Sequence, residues 1–111
     1  MNAGKSRFSL HDLAERVTER AAASAEASYT RSLLDKGVRH CAKKLGEEAA
    51  ETVIAAVAED RARLIAETAD LLYHLLVLLQ AREVTLAEVE AELQSRLAQS
   101  GHEEKASRSK G

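Results

Sequence analysis

Two pairs of carboxylates with the same spacing are the residues of this sequence that could do chemistry together. Glu48 and Glu51 form one acid-x-x-acid pair, Glu67 and Asp70 form a second, and fifteen residues separate the pairs. Residues three apart share a face of an α-helix, because each residue turns the helix by about 100°. If two neighbouring antiparallel helices present these pairs to each other, four carboxylates meet. Such a cluster needs a compensating cation, and carboxylate oxygens are ligands that Mg²⁺ prefers.

The same acids also have an ordinary interpretation. Charged residues make up 31% of the chain, so acids three apart arise by chance, and exposed charge is the normal surface of a helix. Gly46, directly before Glu47 and Glu48, costs about 1 kcal/mol inside a helix relative to alanine. It indicates either a ligand close to the backbone or a contact with a neighbouring helix. Spacing alone leaves a metal site and a solvated surface equally open.

Four segments with helical periodicity must position these acids. We predict helices over about 9–25, 38–59, 60–80 and 85–101, with Ser9, Asp60 and Thr85 as N-caps. In the second helix the predicted buried stripe is Val38, Ala42, Leu45, Ala49, Val53 and Ala56. The acids of that helix lie on the opposite side. The segment 28–30 is interpreted as a polar connector between the first two helices.

The third predicted helix is apolar on nearly every side between Leu71 and Leu79. A helix of this kind must be covered on every side. Three companion helices of one short chain are barely enough to do so. We therefore expect a homodimer whose interface includes this segment.

Composition limits the remaining possibilities. A chain of 111 residues with no proline and five glycines predicts one all-α domain over 1–111. The formal net charge of −2 gives no reason to bind nucleic acid or an anionic membrane. The lone Cys41 excludes an internal disulfide and is interpreted as a small core residue. No signal peptide or membrane span is evident, so we expect a cytoplasmic protein.

Two stretches resemble one known family. Lys43–Glu51 (KKLGEEAAE) and Glu67–Leu76 (ETADLLYHLL) are similar to phosphoribosyl-ATP pyrophosphohydrolases, within the wider all-α, MazG-like class of nucleoside triphosphate pyrophosphohydrolases. Ser28–Thr30 with the following leucines, Gly37 and the tail 103–108 add to the match, which covers roughly 9–108. The resemblance implies a four-helix-type bundle with helices paired across a homodimer. It also implies hydrolysis of phosphoribosyl-ATP to phosphoribosyl-AMP and pyrophosphate, the second step of histidine biosynthesis.

The resemblance also implies roles for individual residues. Mg²⁺, or Mn²⁺ in its place, would be held by Glu48, Glu51, Glu67 and Asp70, while Glu47 would accept a proton from the attacking water. The small-molecule nucleotide would be bound by Lys44, Ser28, Tyr29, Thr30, Lys105 and Arg108. An alternative for Glu47 is an ion pair with Lys43 or Lys44, and for the segment 28–30 a capping and turn role. His74 is expected to be a buried, hydrogen-bonded residue beside the site rather than a ligand.

Other functions stay open at this point. A pyrophosphohydrolase that removes dUTP, dCTP or damaged nucleotides would use the same carboxylates and would give the tail no particular role. A helical dimerisation module without catalysis would leave the acids solvated and would not be stabilised by Mg²⁺. The three aromatic residues, Phe8, Tyr29 and Tyr73, offer no evident stacking partner for adenine.

Overall fold

The protein is an all-α chain, as predicted. The computed structural model describes residues 7–98, and within that range it contains five helices and no strand. They are α1 (Leu10–Ala21), α2 (Tyr29–Asp35), α3 (Val38–Ala58), α4 (Arg61–Ala81) and α5 (Leu86–Leu97). Four of them correspond to the four predicted helices. The predicted stop at Gly101 lies outside the described residues.

The additional helix, α2, occupies the segment that was interpreted as a connector. It spans only 7 residues, which is too short for a periodic pattern to show. Ser28 caps it, because the Ser28 hydroxyl accepts a hydrogen bond from the backbone N–H of Arg31 at 3.1 Å. Gly37 then separates α2 from α3 with a φ of 95°, a left-handed conformation that favours glycine.

The three predicted N-caps are confirmed. Ser9 and Thr85 each form a capping box, with Asp12 and Glu88 respectively. Asp60 accepts a hydrogen bond from the backbone N–H of Arg63 at 2.9 Å. Asp60 and Glu59 also make up the whole connection between α3 and α4. A link this short folds the two long helices into an antiparallel hairpin.

The apolar core lies at one end of this hairpin. It consists of Val17, Leu33, Cys41, Leu76 and Val77, which come from four different helices. Cys41 is therefore the core residue that the sequence predicted. The other end of the hairpin, which carries the acids, contributes only Ala55 to the buried apolar residues. The acidic half of the hairpin thus projects from the core.

The segment from Leu71 to Leu79 does not by itself require a second copy of the chain. Leu76 and Val77 are buried, and the other apolar side chains of the segment are half-buried. By length and composition alone α4 could cross a membrane, with a mean hydropathy of 1.4 over 18 residues. The core helix of a soluble protein passes the same test, and here α4 contributes Leu76 and Val77 to the core.

The predicted buried stripe of α3 is wrong at four of its six positions, whereas Leu45 and Ala49 are half-buried. Val53 is 62% exposed, and Val38, Ala42 and Ala56 are exposed as well. The face that α3 turns toward α4 instead contains Cys41, Glu48, Thr52 and Ala55. Periodicity shows which face of a helix is apolar. It does not show which face is buried when polar side chains of the helix cluster with those of a neighbouring helix. Glu48 therefore points inward, whereas Glu47, Glu51 and the branched apolar side chains of α3 are exposed.

Candidate active site

The carboxylates of the two motifs converge between α3 and α4. Glu48, Glu67 and Asp70 each offer an oxygen, and these oxygens lie within 4.8 Å of one another. Glu48 comes from α3 and the other two come from α4, so the cluster exists only because the hairpin closes. We call these three residues the carboxylate cluster.

A threonine connects the two helices beside this cluster. The Thr52 hydroxyl lies 2.8 Å from the carbonyl oxygen of Glu48 and 3.1 Å from the carbonyl oxygen of Glu67, within hydrogen-bonding distance of both. One side chain therefore links the backbone of α3 to the backbone of α4 at the residues that carry two of the acids. The sequence analysis did not single out Thr52, although its position four residues after Glu48 is the spacing that allows this contact.

Burial makes the carboxylate cluster electrostatically unfavourable as it stands. Glu67 is only 6% exposed. Burial raises the pKa of Glu48, and the neighbouring charges of Glu51, Asp70 and Glu67 raise it further. One oxygen of Glu48 and one oxygen of Glu67 are buried without any hydrogen-bond partner. A buried polar atom without a partner is uncommon, and a bound ion would satisfy it.

Glu51 lies near the carboxylate cluster but is not one of the three residues whose oxygens come within 4.8 Å of one another. Its side chain is exposed. Burial raises the pKa of Glu67, and the nearby Glu51 carboxylate raises it further. The fourth acid of the predicted set therefore borders the cluster from the solvent side.

Arg63 supplies part of the missing positive charge. Its guanidinium contacts the buried Glu67 carboxylate and lies 3.4 Å from Glu59. The charge of Arg63 lowers the pKa of Glu67, against the larger effect of burial. Arg63 was not predicted as part of the site, although it stands four residues before Glu67, where an ion pair on one helix face is expected. One arginine cannot neutralise several carboxylates.

Glu47 and Lys44 lie next to the carboxylate cluster and contact each other. The Lys44 ammonium is 3.3 Å from the Glu47 carboxylate, and Lys43 is 3.9 Å from it on the other side. This is the ion-paired arrangement that the sequence left open for Glu47. Glu47 is exposed and is not one of the clustered acids.

The segment 28–30 is divided between structural and exposed roles. Ser28 and Thr30 are buried. Besides capping α2, the Ser28 hydroxyl donates to the carbonyl of Arg20 at 3.1 Å. The Thr30 hydroxyl lies 2.6 Å from the Tyr73 hydroxyl. Tyr29 is different, since 59% of its surface is exposed.

His74 is buried, as expected, one turn after Asp70 on α4. Burial lowers its pKa, and the nearby charge of Lys44 lowers it further. Within residues 7–98 its ring makes no hydrogen bond, in contrast to the expectation, and it contacts Tyr73 edge-to-face instead. The remaining two predicted substrate residues, Lys105 and Arg108, lie outside the described residues.

A cavity of about 660 Å³ lies elsewhere, between α1, the end of α4 and the start of α5. Its floor is apolar, and it includes Val17, Leu76 and Leu79. None of the acids of the two motifs lines it. The chemistry of the chain is therefore placed at the open carboxylate cluster, because the cavity offers no set of converging ligands.

Residues 10–97 match the protein family described as phosphoribosyl-ATP pyrophosphohydrolase. This chain belongs to the phosphoribosyl-ATP pyrophosphohydrolase family. The matched range contains all four acids of the two motifs, Glu47 and Lys44. It does not contain Lys105 or Arg108. The resemblance that the sequence motifs indicated is thereby confirmed, and the chain is an enzyme of the hydrolase class.

Similar proteins have related names and nearly the same length. The chain is 70% identical over 102 residues to phosphoribosyl-ATP pyrophosphatase 1 of Bradyrhizobium diazoefficiens, which covers 92% of this chain and 96% of that protein. It is 66% identical over 102 residues to the phosphoribosyl-ATP pyrophosphatase of Azorhizobium caulinodans, covering 92% and 94%. It is 59% identical over 99 residues to that of Paracoccus denitrificans, covering 89% and 92%.

Proposed function

We propose that this member of the phosphoribosyl-ATP pyrophosphohydrolase family hydrolyses phosphoribosyl-ATP to phosphoribosyl-AMP and pyrophosphate, the second step of histidine biosynthesis. The observation that carries the proposal is the convergence of Glu48, Glu67 and Asp70 with two buried, unpartnered carboxylate oxygens. Relatives at up to 70% identity are named for this activity.

The residues at this site fit a divalent cation. Three carboxylates from two helices supply only oxygen, which suits Mg²⁺ or Mn²⁺. A cation would also satisfy the two unpartnered oxygens and reduce the repulsion that raises the pKa of Glu48. We propose Glu48, Glu51, Glu67 and Asp70 as the residues that hold it. When bound, Mg²⁺ would neutralise charge on the triphosphate and lower the pKa of a bound water.

Hydrolysis forms one phosphorus–oxygen bond and breaks another. The oxygen of water bonds to a phosphorus of the α–β phosphoanhydride, the bond from that phosphorus to the bridging oxygen breaks, and the water gives up a proton. We propose that the Glu47 carboxylate accepts this proton, because it is exposed and lies directly before Glu48 on α3. Lys44 would then be shared between Glu47 and a phosphate of the substrate.

The remaining substrate contacts belong to the same proposal. Tyr29 presents an exposed ring, whereas the buried Ser28 and Thr30 would act mainly by holding α2 in place. Lys105 and Arg108 would bind phosphate groups from the tail. We further propose a cytoplasmic enzyme whose partner is the small-molecule nucleotide, with no role in binding nucleic acid or membrane.

We also propose that the enzyme is a homodimer, on different grounds from those given by the sequence. Four exposed branched side chains lie on the projecting half of the hairpin, and we call them the apolar patch: Val53, Ile54, Val57 and Ile65. Such a patch on a small protein usually marks an interface. A second copy of the hairpin would cover it and complete a four-helix arrangement.

The test is pyrophosphate release from phosphoribosyl-ATP in the presence of Mg²⁺. We expect turnover by the wild type, none with a chelator, and a loss of more than about 100-fold in Glu48→Gln and Asp70→Asn, because loss of a metal ligand costs at least as much as loss of a residue behind one. Glu92→Gln, an exposed carboxylate of α5, is the matched control and should keep full activity. Robust turnover by Glu48→Gln would contradict the metal assignment.

The substrate is tested separately from the metal. Phosphoribosyl-ATP, dUTP and dCTP are compared at equal concentration, and we expect phosphoribosyl-ATP to have the highest kcat/KM. A preference for a deoxynucleotide would instead establish the alternative function with the same carboxylates. Deletion of residues 103–111 should reduce kcat/KM for phosphoribosyl-ATP if Lys105 and Arg108 bind it.

A further inference from the structure

Three rings meet where α2 packs on α4. Tyr29 and Tyr73 are stacked, with centroids 6.4 Å apart and ring planes 17° from parallel. His74 contacts both edge-to-face, at 5.0 Å from Tyr73 and 6.5 Å from Tyr29. We call these three residues the aromatic cluster. Nothing in the sequence indicated it, because the rings come from segments more than forty residues apart.

The inner members of the aromatic cluster are fixed, whereas the outer member is open. The Tyr73 hydroxyl is held by Thr30 at 2.6 Å, and His74 is buried. Tyr29 remains 59% exposed although it is a large, mostly apolar side chain. Its orientation is thus set by the rings behind it, while most of its surface faces solvent. An aromatic surface held in this way is suited to stack on a flat ring, because little side-chain freedom is lost on binding.

The aromatic cluster borders the carboxylate cluster. His74 lies one turn after Asp70 on α4, and Lys44 lies one turn before Glu48 on α3. The pKa of Lys44 is raised, mainly by its hydrogen bond with Glu47 and to a lesser degree by Tyr29 and Glu48. Tyr29 contacts His74, which is one turn from Asp70, and Lys44 is one turn from Glu48. This region therefore offers an aromatic ring, a cation and a group of carboxylates.

These three kinds of group match the base and the phosphates, with their metal ion, of a nucleoside triphosphate. We propose that Tyr29 is the stacking surface for the adenine base of the substrate, with its phosphates running past Lys44 toward the carboxylate cluster. The inference rests on the proposed function and adds to it the residue that binds the base. It would supply the stacking partner for adenine that the sequence did not make evident.

The kinetic test separates the ring of Tyr29 from its hydroxyl. Stacking of a base on an aromatic side chain corresponds to roughly 5- to 150-fold in affinity. We expect Tyr29→Ala to raise the KM for phosphoribosyl-ATP by a factor in that range with a smaller change in kcat. Tyr29→Phe, which keeps the ring, should leave KM nearly unchanged. Phe8→Ala removes another exposed aromatic side chain and is the matched control, with no change expected.

A binding test uses the tyrosines as reporters. The chain has two tyrosines and no tryptophan, so Tyr29 is the only tyrosine in Tyr73→Phe. We expect AMP to quench the tyrosine emission of this variant. Inorganic pyrophosphate, which has no base, should not quench it. Because AMP has no phosphoanhydride to hydrolyse, this result does not depend on catalysis.

Three outcomes would overturn the assignment. One is an unchanged KM in Tyr29→Ala while the wild type hydrolyses phosphoribosyl-ATP. Another is an equal rise in KM in Tyr29→Phe and Tyr29→Ala, which would show that the hydroxyl, and not the ring, binds the substrate. The third is a changed association state of Tyr29→Ala by sedimentation, which would make Tyr29 an interface residue. Quenching by AMP in an enzyme that fails to hydrolyse phosphoribosyl-ATP would instead refute the proposed function and retain the stacking role.

Discussion

At the scale of single residues, the site is recognised by polar atoms that lack partners. Folding normally satisfies buried carboxylate oxygens, because leaving one unpaired costs free energy. Here Glu48 and Glu67 each keep an unpartnered buried oxygen in the same small volume. Other acids of the chain differ from these two, because they are exposed and form ion pairs, as Glu92 does with Arg96. The carboxylate cluster is therefore an unfavourable arrangement that a bound cation would relieve.

The stability of the metal-free protein should depend on pH through Glu48. Because its pKa is raised above 4.5 in the folded state, the folded chain holds this proton more tightly than the unfolded chain does. The free energy of unfolding therefore falls as pH rises from 4.5 through the raised pKa. In chelator, Glu48→Gln should have a higher Tm than the wild type, and the difference should grow across that window.

Mg²⁺ should make the wild type more stable than Glu48→Gln. At neutral pH the ion should raise the Tm of the wild type and have little effect on Glu48→Gln, because binding to the folded state alone is stabilising. Glu92→Gln should respond to Mg²⁺ as the wild type does. A lower Tm for Glu48→Gln than for the wild type in chelator at neutral pH would mean that the carboxylate already has a favourable partner.

At the scale of the helices, the sequence predicted boundaries better than faces. Ser9, Asp60 and Thr85 were predictable as N-caps because a cap is a local hydrogen bond between near neighbours in the chain. The burial of α3 was not predictable in the same way. Its branched apolar residues lie outside because Glu48 and Thr52 pack against α4, and that choice depends on a helix that comes later in the chain. The contact of Tyr29 with Tyr73 was not predictable either, because it also joins residues that are far apart in the chain.

Gly46 is a second property of α3 that sequence alone left open. Apart from its chain neighbours and the nearby backbone of α3, no atom of residues 7–98 lies within 4 Å of the place where its Cβ would be, so a contact with a neighbouring helix of the same chain is not the reason for glycine. Alanine fits there and has the higher helix propensity. Gly46→Ala should therefore increase the free energy of unfolding by up to about 1 kcal/mol.

Urea unfolding at fixed protein concentration measures this effect. The matched control is Ala50→Gly, one turn later on the same helix and also exposed, which should destabilise by a similar amount. If Gly46→Ala destabilised the protein instead, the added methyl group would be meeting a second chain. That result would extend the homodimer interface along α3 to Gly46.

At the scale of the whole molecule, the core and the chemistry occupy different ends of the α3–α4 hairpin. The core joins four helices at one end, whereas the acids and the apolar patch lie on the projecting half. A single copy leaves that half with little to pack against. The proposed homodimer would give the projecting half the packing that the core gives to the other end.

The apolar patch can be tested against another equally exposed position. Val57 and Leu97 are both 82% exposed, but only Val57 belongs to the apolar patch. We expect the wild type to sediment with twice the 12.1 kDa mass of the chain. Val57→Lys should shift the protein toward the monomer, because a buried lysine at an interface lacks a partner, whereas Leu97→Lys should not. The opposite result would place the interface on α5.

The hydroxyl of Thr52 has a mechanical consequence for such an assembly. Since it lies within hydrogen-bonding distance of backbone carbonyls on both long helices, it opposes sliding of one helix along the other. Val53, its neighbour in sequence, is 62% exposed and belongs to the surface on which we propose that a second copy packs. Displacement of α3 relative to α4 would break this contact and move Glu48 relative to Glu67 and Asp70. If the proposed homodimer holds α3 in place, turnover should fall when the dimer dissociates.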